Sequence, residues 1–249
     1  MSRTISIVVP ALNEELNLQG SIDAIVQAAS RACDDYEVIV VNDGSADRTA
    51  EIARENARRN PRVRLLEHDS PRGFGAGYDT GRRSARMGYC VMVHGDDAFG
   101  ADTLERLFSC AGKPEVVCGY IEHPESRSLL RRVVSRFYTR VLNFLFRLNL
   151  RYYNGLQIHP TAWLRGVELR SKGFSFQAEL LVRSLQEGRT YVEVPTRHRE
   201  RPKGGRTKIF KLKNLLSMAA TMAALYAERP STTVRPRRLL LDAGPDAAV

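Results

Sequence analysis

Four short apolar runs, each closed by a polar cluster and separated by a helical stretch, set the tightest limit on what this chain folds into. The runs cover residues 5–10, 36–41, 62–67 and 90–94, and all but the third are β-branched and almost wholly apolar. Such runs read as strands buried on both faces, the habit of a parallel sheet. Between them lie three helical patterns. The first carries Leu16, Leu18, Ile22, Ile25 and Val26 behind Asn13-Glu14-Glu15, where acidic residues suit a helix start. The second covers residues 49–59 and offers Ser45, Asp47 or Thr49 as caps; the third covers 74–87. Strand and helix alternating over short loops predict a parallel sheet with helices on both faces and right-handed crossovers. Ligands of such sheets bind beyond the carboxyl ends of the strands. Three polar clusters fall on that edge: Asn13/Glu14, Asn42/Asp43 and His94/Asp96/Asp97. Asn and Asp also make ordinary turns and caps, so the weight rests on their convergence.

Composition narrows the class. The chain has 249 residues, of which 43% are hydrophobic, enough for one sizeable core and a tail. Its four cysteines form no CxxC pair, against a disulfide scaffold or structural zinc. No signal-peptide pattern opens it, and no apolar run approaches the ~18 residues of a membrane span. The net charge of +10 calls for an anionic partner. Neither GxxxxGK[ST] nor a GxGxxG after the first strand is present, which argues against a P-loop NTPase or a dinucleotide dehydrogenase. The glycine-rich stretch 72–77 follows the third strand and reads first as a tight turn.

Asp96 and Asp97 at a strand end suit a hard divalent cation, Mg²⁺ or Mn²⁺, held by one or two carboxylates and substrate phosphates. Such an ion stabilises a diphosphate leaving group. In order and spacing, IVVPALNEELNL, VIVVNDGSADRT, RGFGAGYDTG and VMVHGDDAF resemble the family 2 glycosyltransferases of the GT-A fold. Within them the polyprenyl- and dolichyl-phosphate mannosyl- and glucosyltransferases are most similar. The resemblance is strong over residues 4–120 and looser over 150–208. It implies that Pro10, Asn13 and Glu14 lie against the nucleotide, that Asp43 touches its base or ribose, and that Gly73 and Ala76 line the same pocket. The family's Asp-x-Asp falls on His94-Gly95-Asp96, with Asp97 following. His94, Asp96 and Asp97 are thus the implied metal set, and imidazole favours Mn²⁺ over Mg²⁺.

The second half changes character. Residues 126–150 form a long amphipathic stretch in which Arg127, Arg131, Arg132, Arg136, Arg140 and Arg147 punctuate an apolar set spaced by three and four. It reads equally as a helix in a membrane interface or one packed on the sheet; the family resemblance favours the membrane surface. In Tyr152-Tyr153-Asn154-Gly155, where relatives close the sugar pocket, Gly155 supplies a turn and Asn154 a contact to the sugar. Glu179, in Gly173–Leu180, falls where inverting relatives place a catalytic base, needed for a hydroxyl acceptor and less so for a phosphate. Residues 192–195 end a strand. The basic run 197–208 then resembles the family's Arg-x-x-Gly-x-Ser-Lys loop, with Arg199, Arg201 and Lys208 as candidates for the acceptor phosphate or donor diphosphate. A weakly apolar helix follows over 209–226, then a Pro- and Arg-rich tail.

The resulting expectation is an α/β GT-A domain with a mostly parallel sheet. Residues 1–120 form a nucleotide-sugar half, 121–228 an acceptor half with amphipathic helices, and 229–249 a flexible tail. The expected activity is inverting transfer of mannose or glucose from a GDP- or UDP-sugar to a polyprenyl phosphate. The expected place is cytoplasmic, peripheral on the inner face of the membrane, with a homodimer left open. Rival readings are a hydroxyl acceptor, a sugar-1-phosphate nucleotidyltransferase, a degenerate family member, and a basic nucleic-acid-binding module. The last is disfavoured because no aromatics interleave the basic run.

Overall fold

The computed structural model describes residues 2–122, 129–171, 173, 175–199, 212–228 (backbone only for 212–218) and 235–240. Seven strands form one sheet: β1 (Thr4–Ala11), β2 (Asp35–Asn42), β3 (Val63–Glu67), β4 (Tyr89–Met92), β5 (Val116–Ile121), β6 (Gln157–Pro160) and β7 (Tyr191–Thr196). Their order is β3-β2-β1-β4-β6-β5-β7. β1, β2, β3 and β4 are mutually parallel and β5 is parallel to β7, while β6 runs antiparallel to both β4 and β5. The expected mostly parallel sheet is present, and β5 and β6 are the strands that sequence reading did not name.

Successive residues of β1 face opposite ways, as a strand demands. Ile5, Ile7 and Val9 join one core with α1 (Leu18–Ala32), α2 (Thr49–Arg59) and α4 (Ala101–Phe108). Val8 joins the other with α3 (Phe74–Ser84), α6 (Thr161–Gly166) and α7 (Phe176–Gln186). α3 lies tight on β1 because Gly81 carries no side chain; an added Cβ there would overlap Val8 Cγ1. A third core joins β5 to α5 (Leu129–Phe146), α7 and α8 (Leu212–Ala227).

Several boundaries differ from expectation. α1 begins at Leu18, and Leu16, counted in the periodic face, is exposed in the preceding turn. Of the three expected caps, Asp47 accepts the Thr49 amide at 3.0 Å. α5 spans 129–146 and satisfies both expected readings in part. Thr139, Leu142 and Phe146 are buried, whereas a stripe of its other apolar residues faces outward. The two expected halves share one sheet, since β6 of the second lies between β4 and β5 of the first. Residues 235–240, assigned to the flexible tail, are joined to β7: Tyr191 N–H donates to Arg237 O (3.0 Å), Leu239 N–H to Tyr191 O (2.7 Å). Arg238 pairs with the buried Glu193 at 3.1 Å.

Candidate active site

The carboxyl ends of β1, β2 and β4 bring the three polar clusters to one edge. Their loops are laced together. Asn13, at φ 57°, donates its amide to Ser45 Oγ (3.0 Å) and accepts the Ala46 amide on Oδ1 (3.0 Å). Glu14 N–H donates to Thr49 Oγ1 (2.8 Å), and its Oε2 accepts from Asn17 Nδ2 (3.0 Å). Asp43 continues the sheet by donating its amide to Ala11 O (2.9 Å). Pro10 stands beside Val41 near the end of β1.

Asp43 is buried and its carboxylate is already engaged. It accepts from the amides of Arg72 (2.9 Å) and Gly73 (2.8 Å) and bonds His68 Nδ1 (2.7 Å), whose Nε2 meets Thr80 Oγ1 (2.9 Å). Through these bonds Asp43 folds the 68–73 loop onto β2. It thereby sets Gly73, the N-cap of α3, and the half-buried Ala76 at the edge.

The β4 turn separates the residues expected to share a metal. Asp96 is buried just past β4. Asp97, at φ 52°, turns the other way: an added Cβ on Gly20 of α1 would sit 2.9 Å from Asp97 Oδ2. Its Oδ1 is buried with no hydrogen-bond partner among the described residues. Burial raises its pKa and the nearby Arg199 opposes this, while Asp96 and Asp23 add to the rise. The His94 ring stacks on Phe74, 5.0 Å between centroids and 19° between planes. It belongs to a line of rings running Tyr78, Phe176, Phe74, His94, Phe99, His198. Among the described residues no group of three or more His, Cys, Asp or Glu side chains is placed to hold a metal. The three expected ligands thus do not form such a group: Asp97 lies beside Gly20 of α1 and His94 stacks on Phe74. What remains at the edge is the Asp96 carboxylate, a donor set that fits an ion ligated largely by substrate phosphates.

The chain returns to this turn from β7. Phe99 and His198 form an antiparallel bridge, Arg199 N–H donates to Ala98 O (2.9 Å), and the Arg199 guanidinium lies against Gly100. Arg199 thus lies against the turn that follows Asp96, whereas Arg201 and Lys208 lie outside the described residues.

β6 and α7 hold the loop that carries Asn154. Two buried glutamines grip the loop on either side of Asn154: Gln157 Nε2 donates to Tyr153 O (2.6 Å), Gln177 Nε2 to Gly155 O (3.0 Å). Asn154 Oδ1 is buried and has no hydrogen-bond partner among the described residues. Gln157 Oε1 bonds His159 Nε2 (3.2 Å). Burial, with Arg189 adding, pushes the His159 pKa down to about 3, so this ring is neutral. Sequence reading missed both glutamines; the polar residues at alternate positions of 156–159 were the only signal for Gln157, and Gln177 had none. Glu179 departs from the expected base. It is wholly buried, accepts the amides of Arg170 and Ser171 (both 3.1 Å) and pairs with Arg183 at 3.1 Å. That is the geometry of a loop anchor.

A mostly parallel seven-stranded sheet of this order, flanked by helices, is the GT-A architecture. The chain belongs to glycosyl transferase family 2, which it matches over residues 6–173. Polyprenol monophosphomannose synthase of Mycolicibacterium smegmatis is 30% identical over 214 residues, 80% of this chain and 78% of that protein. Undecaprenyl-phosphate mannosyltransferase of Micrococcus luteus is 28% identical over 79% of this chain and 84% of its own length. The chain spans only 36% of the glycosyltransferase EpsJ of Bacillus subtilis, at 33% identity over 49% of this chain. Among solved structures, glucosyl-3-phosphoglycerate synthase from Mycobacterium tuberculosis with Mn²⁺, UDP-glucose and phosphoglyceric acid superposes with a TM-score of 0.66. It is 19% identical, over 96% of this chain and 88% of that one. Another crystal of that enzyme holds Mg²⁺ and UDP.

Proposed function

We propose that this protein transfers a hexose, mannose or glucose, from a GDP- or UDP-sugar to a polyprenyl phosphate, with inversion. The observation that carries the reading is the tie of Arg199 to the Ala98–Gly100 backbone directly after Asp96. It brings a fixed cation, and the start of the basic run, to the edge where a diphosphate and an acceptor phosphate would meet. Asp96 would be the protein's ligand for Mg²⁺ or Mn²⁺, which when bound supplies charge neutralisation at the leaving diphosphate. Asn154 Oδ1 would accept from a sugar hydroxyl. Arg199 holds phosphate oxygens and lowers the cost of their negative charge as the glycosidic bond breaks. The engaged Glu179 supports a phosphate acceptor over a hydroxyl one, since an anionic nucleophile has no proton to give up. Two relatives, matched over 78% and 84% of their own length, carry polyprenol- and undecaprenyl-phosphate names. No described helix is long and apolar enough to cross a membrane, so the lipid acceptor would be reached from the bilayer surface.

The test has two stages. Thermal melting with GDP and UDP, with and without Mn²⁺, is expected to give a metal-dependent rise in Tm that Asp96→Asn removes, since a ligand of the folded state must stabilise it. Radiolabelled sugar from the nucleotide identified is then expected to enter an organic-soluble lipid phosphate. Incorporation only into hydroxyl acceptors would overturn the acceptor assignment. Absence of any nucleotide shift would overturn the transferase reading itself.

A further inference from the structure

α5 presents an apolar face that no described residue covers. Leu129 (68% exposed), Leu130 (64%), Val133 (55%), Phe137 (68%) and Phe144 (84%) all face outward. Leu130, Val133, Phe137 and Phe144 recur at the three- and four-residue steps of one helix face, opposite the buried Thr139, Leu142 and Phe146. Soluble surfaces scatter such residues singly; a contiguous stripe marks an interface. Its charge says with what. From Leu129 to Arg151 the chain carries six arginines and no acidic residue. Arg136 and Arg140 are exposed at the steps that place them alongside the stripe, and Arg147 follows just past the helix. Two copies meeting through this face would oppose like charges, which disfavours self-association. An apolar stripe flanked by arginines matches the boundary between acyl chains and anionic headgroups.

The position of the helix agrees. β5 and β7 are parallel neighbours, so the connection to α5 and the basic segment after β7 leave the sheet at the same edge. That edge is shared with β4 and Asp96. The two exits are pinned together by Thr196 Oγ1 donating to Tyr120 O (2.9 Å) and by the Arg197–Glu122 ion pair (2.7 Å). At the far end of α5 the chain comes back to β5, with the Arg151 guanidinium 4.5 Å above the Tyr120 ring.

We infer that α5 is the bilayer-docking element of this protein: it lies in the plane of an anionic membrane surface with Phe137 and Phe144 inserted, and so holds the Asp96 edge at headgroup level. The claim concerns where the molecule sits and is independent of the reaction proposed above.

Flotation of the full chain with vesicles tests it, with no sugar nucleotide present. Wild type is expected to float with phosphatidylglycerol–phosphatidylcholine vesicles and far less with pure phosphatidylcholine. The pair Phe137→Ser and Phe144→Ser, at exposed sites, is expected to lower partitioning about tenfold or more. Arg136→Gln with Arg140→Gln is expected to abolish the preference for anionic lipid. Both pairs should keep the wild-type circular dichroism and Tm. The inference is overturned if wild type fails to float, if the phenylalanine pair floats equally well, or if light scattering shows a dimer that the phenylalanine pair splits without changing vesicle binding. Failure here with an intact nucleotide-induced Tm rise removes the membrane face and leaves the transferase reading standing.

Discussion

The amide of Arg199 donates to the carbonyl of Ala98 at 2.9 Å, so the first turn of the basic segment is fastened to the turn that carries Asp96 and Asp97. The Arg199 guanidinium lies over Gly100, whose missing side chain leaves room for it. Charge and position are therefore separable. Arg199→Ala is expected to lower kcat/KM about 10–1,000-fold with Tm nearly unchanged, the scale of losing one preorganised donor to developing charge. Gly100→Ala, which displaces the side chain and keeps its charge, is expected to give a smaller loss of the same kind. Steady-state kinetics on both variants checks this; equal activity in all three proteins would remove Arg199 from the site.

Glu179 separates two roles by two readouts. As a loop anchor, Glu179→Gln replaces one acceptor oxygen by an N–H donor facing a backbone amide and loses the charge opposite Arg183. The expected cost is about 1–3 kcal/mol of stability. Turnover on a lipid phosphate, measured well below the lowered Tm, is expected to stay within about tenfold of wild type. A base would behave in reverse, with turnover abolished and Tm retained. Urea denaturation beside single-temperature kinetics distinguishes them.

The half of the fold built from repeated strand–helix units was legible because each unit carries its own period. The buried strands of residues 5–10 and 36–41 alternate with a helix whose apolar residues recur at three and four. β6 was not legible: its four residues hold only Ile158 facing one core, and its direction is set by pairing with β4 and β5, which no local pattern encodes. The edge clusters were found, but what their side chains hold was not. Asp43 and Asn13 each bond backbone amides of loops distant in sequence, and Glu179 those of the segment just before its own helix, partnerships no spacing rule reveals. His94 reads in sequence as a metal-motif position and in space as one ring of an aromatic line, because its partner Phe74 comes from α3.

Gln157 and Gln177 act on Asn154 through the carbonyls on either side of it. Losing either leaves a buried carbonyl without its donor and frees the loop. Gln177→Ala is expected to raise KM for the nucleotide-sugar about tenfold and to cost about 1–2 kcal/mol. Gln177→Glu, which keeps the shape and removes the donor, should give a KM rise at least as large. A purely structural role would lower Tm and leave KM unmoved in the protein that remains folded. Binding isotherms for the sugar-nucleotide, compared with those for the nucleoside diphosphate alone, locate the loss on the sugar.

Gly155 allows the same loop to close on β5. An added Cβ there would overlap the Gly119 carbonyl oxygen, far inside van der Waals contact, while Gly119 N–H donates to Leu156 O at 2.7 Å. Backbone meets backbone at this point, so no rotamer change relieves the overlap. Gly155→Ala is therefore expected to cost about 2–4 kcal/mol, a value in the tail of single substitutions. Chemical denaturation reads it directly, and a change below about 0.5 kcal/mol would show that the two strands separate freely.

His159 gives the fold an acid-side dependence whose sign is fixed by its burial. Its folded pKa lies at about 3, against 6.5 for an unburied imidazole, chiefly through desolvation with Arg189 adding repulsion. Below pH 6.5 the unfolded chain gains a proton that the folded one does not take, so stability falls as pH drops. The contribution is complete above the unfolded pKa, is lost progressively toward pH 3, and changes no further below it. The ring is neutral throughout its stacked contact with Trp163 and its bond to Gln157. His159→Gln keeps a polar side chain there without the titration. It is expected to be less stable than wild type at neutral pH, and to lose less of its stability than wild type does on going to about pH 4. Denaturation curves at a series of pH values check the slope. Parallel stability–pH curves for the two proteins would mean that His159 takes up its proton in the folded state as readily as in the unfolded one.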